Sequence, residues 1–172
     1  MHNLFLDGYL IFENSSFELL ANVVYLCYLL KCGMWDKYNF VLIDCPPNVG
    51  VFAINALMAS DGVIIPVDMS YLGLLGVQGI EHALTLVRDQ LDHPIAIAGV
   101  LATRYDRRNN LSKEVLDALT EHFGSKMFKT VIPETVKIRE APSHGQSIFE
   151  YDPNGVGASS YRELVSEVYK WQ

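Results

Sequence analysis

Along the chain, short unbroken apolar runs alternate with longer stretches in which apolar residues recur at helical spacing. Residues 40–43, FVLI, run straight into Asp44, and Pro46 and Pro47 stop any ladder there. A run this short and this rich in branched residues predicts a strand buried on both faces. Residues 63–67 (VIIPV), 94–103 (around IAIAGVLAT) and 127–132 predict three more strands, the last closed by Pro133. Residues 51–59 predict a short helix stopped at Asp61-Gly62. Residues 74–91 predict a helix with Val77, Ile80, Leu84, Val87 and Leu91 on one face. Residues 111–123 predict another, with Leu111, Val115, Leu116, Leu119 and Phe123 inward and Gly124 at its end. A terminal helix over 158–170 places Tyr161, Leu164, Val165 and Val168 together. Upstream, the Asp7-Gly8 turn signal within residues 4–12 predicts a strand or small hairpin. Ser15 and Glu18 form a capping box opening a strongly apolar helix that ends near Gly33.

Strands alternating with helices of this length are the βαβ signature. The expected fold class is α/β, a doubly wound, mostly parallel sheet with helices on both faces. Residues 1–37 form an unassigned N-terminal segment, and residues 38–172 form the α/β domain. Gly73, Gly76 and Gly79 recur inside a helical pattern, which predicts close helix packing.

Composition narrows the classes. The 172 residues are half hydrophobic and 19% charged, ordinary for one globular domain with a sizeable core. The net charge of −7 is unevenly spread: residues 104–139 carry 8 basic and 5 acidic groups, whereas residues 1–103 carry 3 and 10. The acidic whole argues against a generic nucleic-acid binder, but the basic segment leaves room for a local patch. Cys27, Cys32 and Cys45 show no C-x-x-C spacing, and the five histidines are scattered, so no metal is assigned to them. Residues 19–30 are too few to span a bilayer, and the first residues lack the basic start of a signal peptide. These features predict a soluble cytoplasmic protein.

The most pointed candidate for chemistry is Asp44. It stands at the carboxyl end of a predicted central strand, where open α/β sheets bind their ligands. On spacing alone, a strand-end Asp is more often a turn or cap residue.

Four ordered stretches change that balance. NFVLIDCPPNVG, INALMASDGVIIPV, LATRYDRRNNLSKEV and FKTVIPETVKIREAPSHGQSIFEYDPNGVGASSYRELVSEV together resemble the ParA/MinD family of P-loop ATPases, in its ParA branch of chromosome- and plasmid-partitioning ATPases. The resemblance runs over residues 38–170 in order. It implies an ATP-dependent homodimer that binds DNA without sequence preference and whose hydrolysis is stimulated by a ParB-type partner. It makes Asp44 the Walker B aspartate, acting catalytically on Mg²⁺ through a water. Pro46, Pro47 and Asn48 fall in the segment that senses the γ-phosphate. Arg104 and Asp106, at one strand end, and Pro133 and Glu134, at the next, flank the adenine. Arg108 and Lys137 match DNA-contacting positions, with Arg104, Arg107 and Arg139 nearby. The expected location is the cytoplasm, in association with the nucleoid.

The sequence also departs from the family. No G-x-x-x-x-G-K-[ST] and no lysine-rich K-G-G variant occurs in the 172 residues, and the aspartate-bearing switch strand is missing as well. In the family the phosphate-loop strand lies beside the Walker B strand, so its loss leaves two apolar strand edges facing a gap. The leading expectation is therefore the carboxyl-terminal portion of a ParA-type ATPase, inactive in hydrolysis by itself. The alternative is a non-enzymatic ParA-like protein that retains DNA or partner contacts without nucleotide hydrolysis. An unrelated doubly wound enzyme would need another convergent catalytic cluster, and none is visible; His144, alone in its loop, is expected to be structural or solvent-exposed. A MinD-like membrane role is disfavoured, because YRELVSEVYKWQ lacks the basic excess that anionic lipid requires.

Overall fold

Three of the four predicted βαβ strands form, and they form side by side. In the computed structural model, which describes residues 4–6, 9–11, 38–45 and 50–171, β3 (Gly62–Asp68), β4 (Ala96–Tyr105) and β5 (Met127–Pro133) make a sheet in the order β3–β4–β5. The three strands run parallel. A separate antiparallel pair, β1 (Leu4–Leu6) with β2 (Tyr9–Ile11), realises the hairpin expected around Asp7-Gly8. The predicted helix opened by Ser15 lies outside the described residues.

The helices follow the periodicity. They are α1 (Val51–Ala59), α2 (Tyr71–Gln90), α3 (Asn110–Phe123) and α6 (Val156–Val168), joined near the C-terminus by two short helices, α4 (Val136–Glu140) and α5 (Ile148–Tyr151). The start of α3 is capped by the Asn109 side chain, which accepts from Leu111 N. Its end is set by Gly124 at φ 54°, a left-handed conformation that suits glycine.

The inward faces came out largely as spaced, with exceptions at their edges. Val77, Leu84, Val87, Val115, Leu119 and Phe123 are buried, but Leu91, Leu111 and Val165 are exposed. On α3 the buried neighbour of Leu111 is Ser112, whose hydroxyl donates to Met69 O at 3.4 Å. Leu91 lies just past the end of α2 and Leu111 in the first turn of α3. The glycine spacing has a packing cause only at Gly73, where an added Cβ would lie 2.0 Å from Asp68 O. At Gly76 and Gly79 nothing stands within 4 Å.

The chain divides into two compact units, Met1–Val63 with Ile80–Ala96, and Ile64–Gly79 with Ile97–Gln172. In the first, Ala56, Ala83, Leu84, Val87 and Ile95 are buried, and Arg88 Nε donates to Ile95 O at 2.7 Å. In the second, Leu101, Phe128 and Ile132 form a core against which Ile64, Ile138, Tyr161, Leu164 and Val168 pack.

The predicted strand over 40–43 is the main correction. Residues 40–45 carry no strand, and Leu42 is 57% exposed. An apolar run becomes a strand only when a neighbour supplies a ladder. The partner expected for this run is a phosphate-loop strand, whose motif the sequence lacks.

The ladder between β4 and β5 is irregular in two places, and both matter below. Val100 pairs with Met127 and Ala102 with Val131, so β5 spends four residues where β4 spends two. Ala102 to Tyr105 then spans three residues on β4 against two, Val131 to Pro133, on β5. Within the first bulge, Lys129 N and Thr130 N leave the ladder and donate to the Glu167 carboxylate at 2.9 and 2.8 Å. Within the second, Arg104 takes φ 54°.

Candidate functional site

The carboxyl ends of the three parallel strands form a rim in the second unit, and the sequence places a charged residue at each. Asp68 ends β3, Arg104 lies next to the end of β4, and Glu134 follows β5. The bulge at Arg104 turns its guanidinium onto both acids: Nη1 meets Asp68 Oδ2 at 3.1 Å, and Nε meets Glu134 Oε2 at 3.0 Å. Arg139, on α4, reaches the other oxygen of Glu134 at 3.3 Å. The backbone ties the same strand ends together, with Glu134 N donating to Tyr105 O at 3.0 Å and Met69 N donating to Thr103 O at 3.2 Å. The Glu134 hydrogen bond, then the Asp68 charge, raise the Arg104 pKa further, so Arg104 is charged at any physiological pH. Two acids and two bases leave this network neutral. A non-glycine residue at positive φ costs energy, and such strain clusters where a side chain must be aimed.

Two further charged groups sit in the loops just beyond. Asp106 and Arg108 form a fork: Nε to Oδ1 and Nη2 to Oδ2 both measure 3.1 Å, and Arg108 N also donates to Oδ1 at 3.0 Å. These bonds, the side-chain one foremost, hold the Asp106 carboxyl below the usual range. Lys137, in the first turn of α4, lies 3.3 Å from Glu140 Oε2 and 5.3 Å from the centre of the Tyr151 ring. Tyr151 OH donates to the same Glu140 oxygen at 3.1 Å, and His144 stacks on Tyr151 at 4.9 Å. The hydrogen bond from Lys137, then that from Tyr151, keep Glu140 ionised to lower pH than usual. His144 is exposed and stacks on Tyr151, in line with the expectation of a structural or solvent-exposed residue.

Asp44 belongs to the first unit and is exposed. Its neighbour Cys45 is a free, exposed thiol whose pKa is raised, first by desolvation and then by the Asp44 charge. Pro46, Pro47 and Asn48 lie outside the described residues. Among the described residues no group of three or more His, Cys, Asp or Glu is placed to hold a metal. A lone exposed carboxylate still fits Mg²⁺, which keeps several waters and is commonly shared between one or two carboxylates and a substrate's phosphates.

Of the expected site residues, then, the second unit brings together Arg104, Pro133 and Glu134 at paired strand ends, with Asp106 and Arg108 in the loop after β4 and Lys137 on α4 after β5. Sequence reasoning missed Asp68, Glu140 and Tyr151. Asp68 carried a usable signal, because it stands after VIIPV as Asp44 stands after FVLI.

Comparison with known proteins agrees with this architecture. A family profile described as an AAA domain matches residues 21–97. The sporulation initiation inhibitor protein Soj of Bacillus subtilis is 44% identical over 133 residues, 77% of this chain and 53% of that protein. The chromosome-partitioning ATPase Soj of Treponema pallidum is 37% identical over 171 residues, 98% of this chain and 68% of that protein. Among solved structures, cobyrinic acid a,c-diamide synthase from Mycobacterium smegmatis, with bound ATP analogue and magnesium, superposes with a TM-score of 0.70 at 26% identity, covering 90% of this chain and 58% of that one. The chain spans about half the length of several curated relatives it matches, the Bacillus protein among them, and about two thirds of the Treponema protein.

Proposed function

Because the chain belongs to the ParA branch of the ParA/MinD family of P-loop ATPases, we propose that it serves chromosome or plasmid partitioning by binding DNA without regard to sequence, through Arg108 and Lys137. The observation that carries this reading is topological. Arg108 follows β4 and Lys137, on α4, follows β5, and these are adjacent parallel strands, so both segments leave the same rim of one compact unit. The basic stretch 104–139 supplies the charge that the acidic remainder of the chain lacks. In the complete family pattern, ATP and Mg²⁺ would be held with Asp44 as Walker B aspartate and Pro46, Pro47 and Asn48 near the γ-phosphate. Arg104, Asp106, Pro133 and Glu134 would stand beside the base. A nucleotide-dependent homodimer and a ParB-type partner belong to the same proposal, as does association with the nucleoid.

The test is fluorescence anisotropy of a labelled duplex titrated with the chain over rising salt. Contacts to phosphate release counterions, so binding should weaken steeply with salt and ignore base sequence. Replacing both Arg108 and Lys137 by Ala should flatten the slope of log K against log salt by about two units, roughly 0.9 for each phosphate lost. Unchanged affinity and slope in the double variant would sink the assignment.

A further inference from the structure

Both cations assigned to DNA already have a carboxylate partner in their own chain. Arg108 is gripped by Asp106 in the two-bonded fork geometry with which a guanidinium also takes a phosphate. Lys137 is held by Glu140 at 3.3 Å, over the ring of Tyr151. We propose that Asp106 and Glu140 compete with DNA phosphate for these two cations, so that the rim carries a built-in acidic brake on nonspecific DNA binding. This inference rests on the DNA reading above and adds its regulation.

Two features make the arrangement a brake rather than a block. First, the pairs are exposed: the Arg108 side chain is 90% accessible and that of Lys137 is 56% accessible. Exposed ion pairs are worth little in water, so an incoming phosphate has only a small contest to win. Second, each acid keeps another donor when its cation leaves. Asp106 Oδ1 still accepts the Arg108 backbone N–H at 3.0 Å, and Glu140 Oε2 still accepts the Tyr151 hydroxyl at 3.1 Å. Neither carboxylate is stranded by the exchange, so the cation can be released and recaptured with the backbone in place.

The experiment measures duplex affinity at low salt for Asp106→Asn and Glu140→Gln in the full chain. Each should bind about two- to five-fold more tightly, the range set by an exposed ion pair. Glu163→Gln on α6 makes the same change in net charge at a carboxylate that accepts from the Ser159 hydroxyl and forms the ion pair of neither cation, and serves as the control; its gain should be clearly smaller. In an Arg108→Ala background the Asp106→Asn gain should vanish, as should the Glu140→Gln gain in a Lys137→Ala background. A gain no larger than that of Glu163→Gln, or one that survives removal of the cation, overturns the brake. If Arg108→Ala and Lys137→Ala weaken binding while the acid variants gain nothing of their own, the brake falls and the DNA reading stands. If the two alanine variants bind as the parent does, both fall together.

Discussion

Glu167 of α6 accepts two hydrogen bonds from one residue of β5: its Oε1 takes the backbone N–H of Thr130 at 2.8 Å and the Thr130 hydroxyl as well. Its other oxygen takes Lys129 N at 2.9 Å. The carboxylate thereby serves the amides that the β5 bulge removes from the ladder, and it fastens the last long helix to an edge strand of the described sheet.

Glu167→Gln should lower stability by about 1–3 kcal/mol, because the amide nitrogen would face a donor and the charge that strengthens the bonds is gone. Partial burial pushes the Glu167 carboxyl up, but the Thr130 hydroxyl and the two backbone donors outweigh it, and the net pKa lies below the ordinary 4.5. A depressed folded pKa means that the contribution is fully present above the unfolded value and is lost as pH falls through the folded one. Urea midpoints of the two proteins should therefore differ by a constant amount near neutrality and converge under strongly acidic conditions. A gap that persists unchanged at acid pH would show that the charge is irrelevant.

Gly99→Ala should be destabilising by about 1–3 kcal/mol, the cost of overpacking. An added Cβ would stand 2.4 Å from Phe128 Cε2 and 2.7 Å from Cζ, inside the core of the second unit. Phe128→Leu in the same chain should recover part of the loss. A double-mutant cycle by chemical denaturation checks the coupling, and additive effects would show that the ring moves aside freely.

Cys45 should alkylate slowly for an exposed thiol. Desolvation first, and the Asp44 charge second, disfavour the reactive thiolate, so the reaction should lag at mildly basic pH and rise as pH is raised further. With Cys27 and Cys32 replaced by Ser, iodoacetamide labelling of Asp44→Asn should be faster than that of the parent. Equal rates would mean that the Asp44 carboxylate does not act on its neighbour.

The chain by itself should turn over no ATP above background. Phosphoryl transfer depends on positioning and charge supplied by a phosphate loop, and no such motif occurs among the 172 residues. Phosphate release from Mg²⁺-ATP is the measurement. Clear turnover abolished by Asp44→Ala would overturn the expectation and show that turnover without the loop requires Asp44.

Much of the fold was legible because long apolar patterns carry their own period. Helix α1 has the bounds the pattern gave it, and β3, β4, β5, α2 and α3 lie within a few residues of theirs. The short helices α4 and α5 were not foreseen, since four or five residues are too few to show a period. One of them was nevertheless announced: Ser147 and Glu150 form a full capping box, the signature noted at Ser15 and Glu18. The run at 40–43 misled for the opposite reason, because its composition speaks for a strand while its pairing depends on chain elsewhere. At the site, the resemblance pointed to Arg104, Arg108, Glu134 and Lys137, but charge pairing is a property of three-dimensional neighbours. Nothing in the spacing of Asp68, Arg104 and Glu134 announces that they meet.

The left-handed backbone of Arg104 bears on how that residue can be interrogated. Alanine is the customary replacement, yet at φ 54° alanine keeps the torsional penalty of any residue with a Cβ while discarding both ionic anchors that hold the arginine there. Arginine bears the same penalty, so it cancels in the comparison and a loss seen in Arg104→Ala reports the missing guanidinium. Glycine accepts the same torsion without penalty, so the difference between Arg104→Gly and Arg104→Ala measures what the bend itself demands, offset by the freedom glycine adds to the unfolded chain. At this one position the two small residues read different quantities, the ionic anchors and the bend.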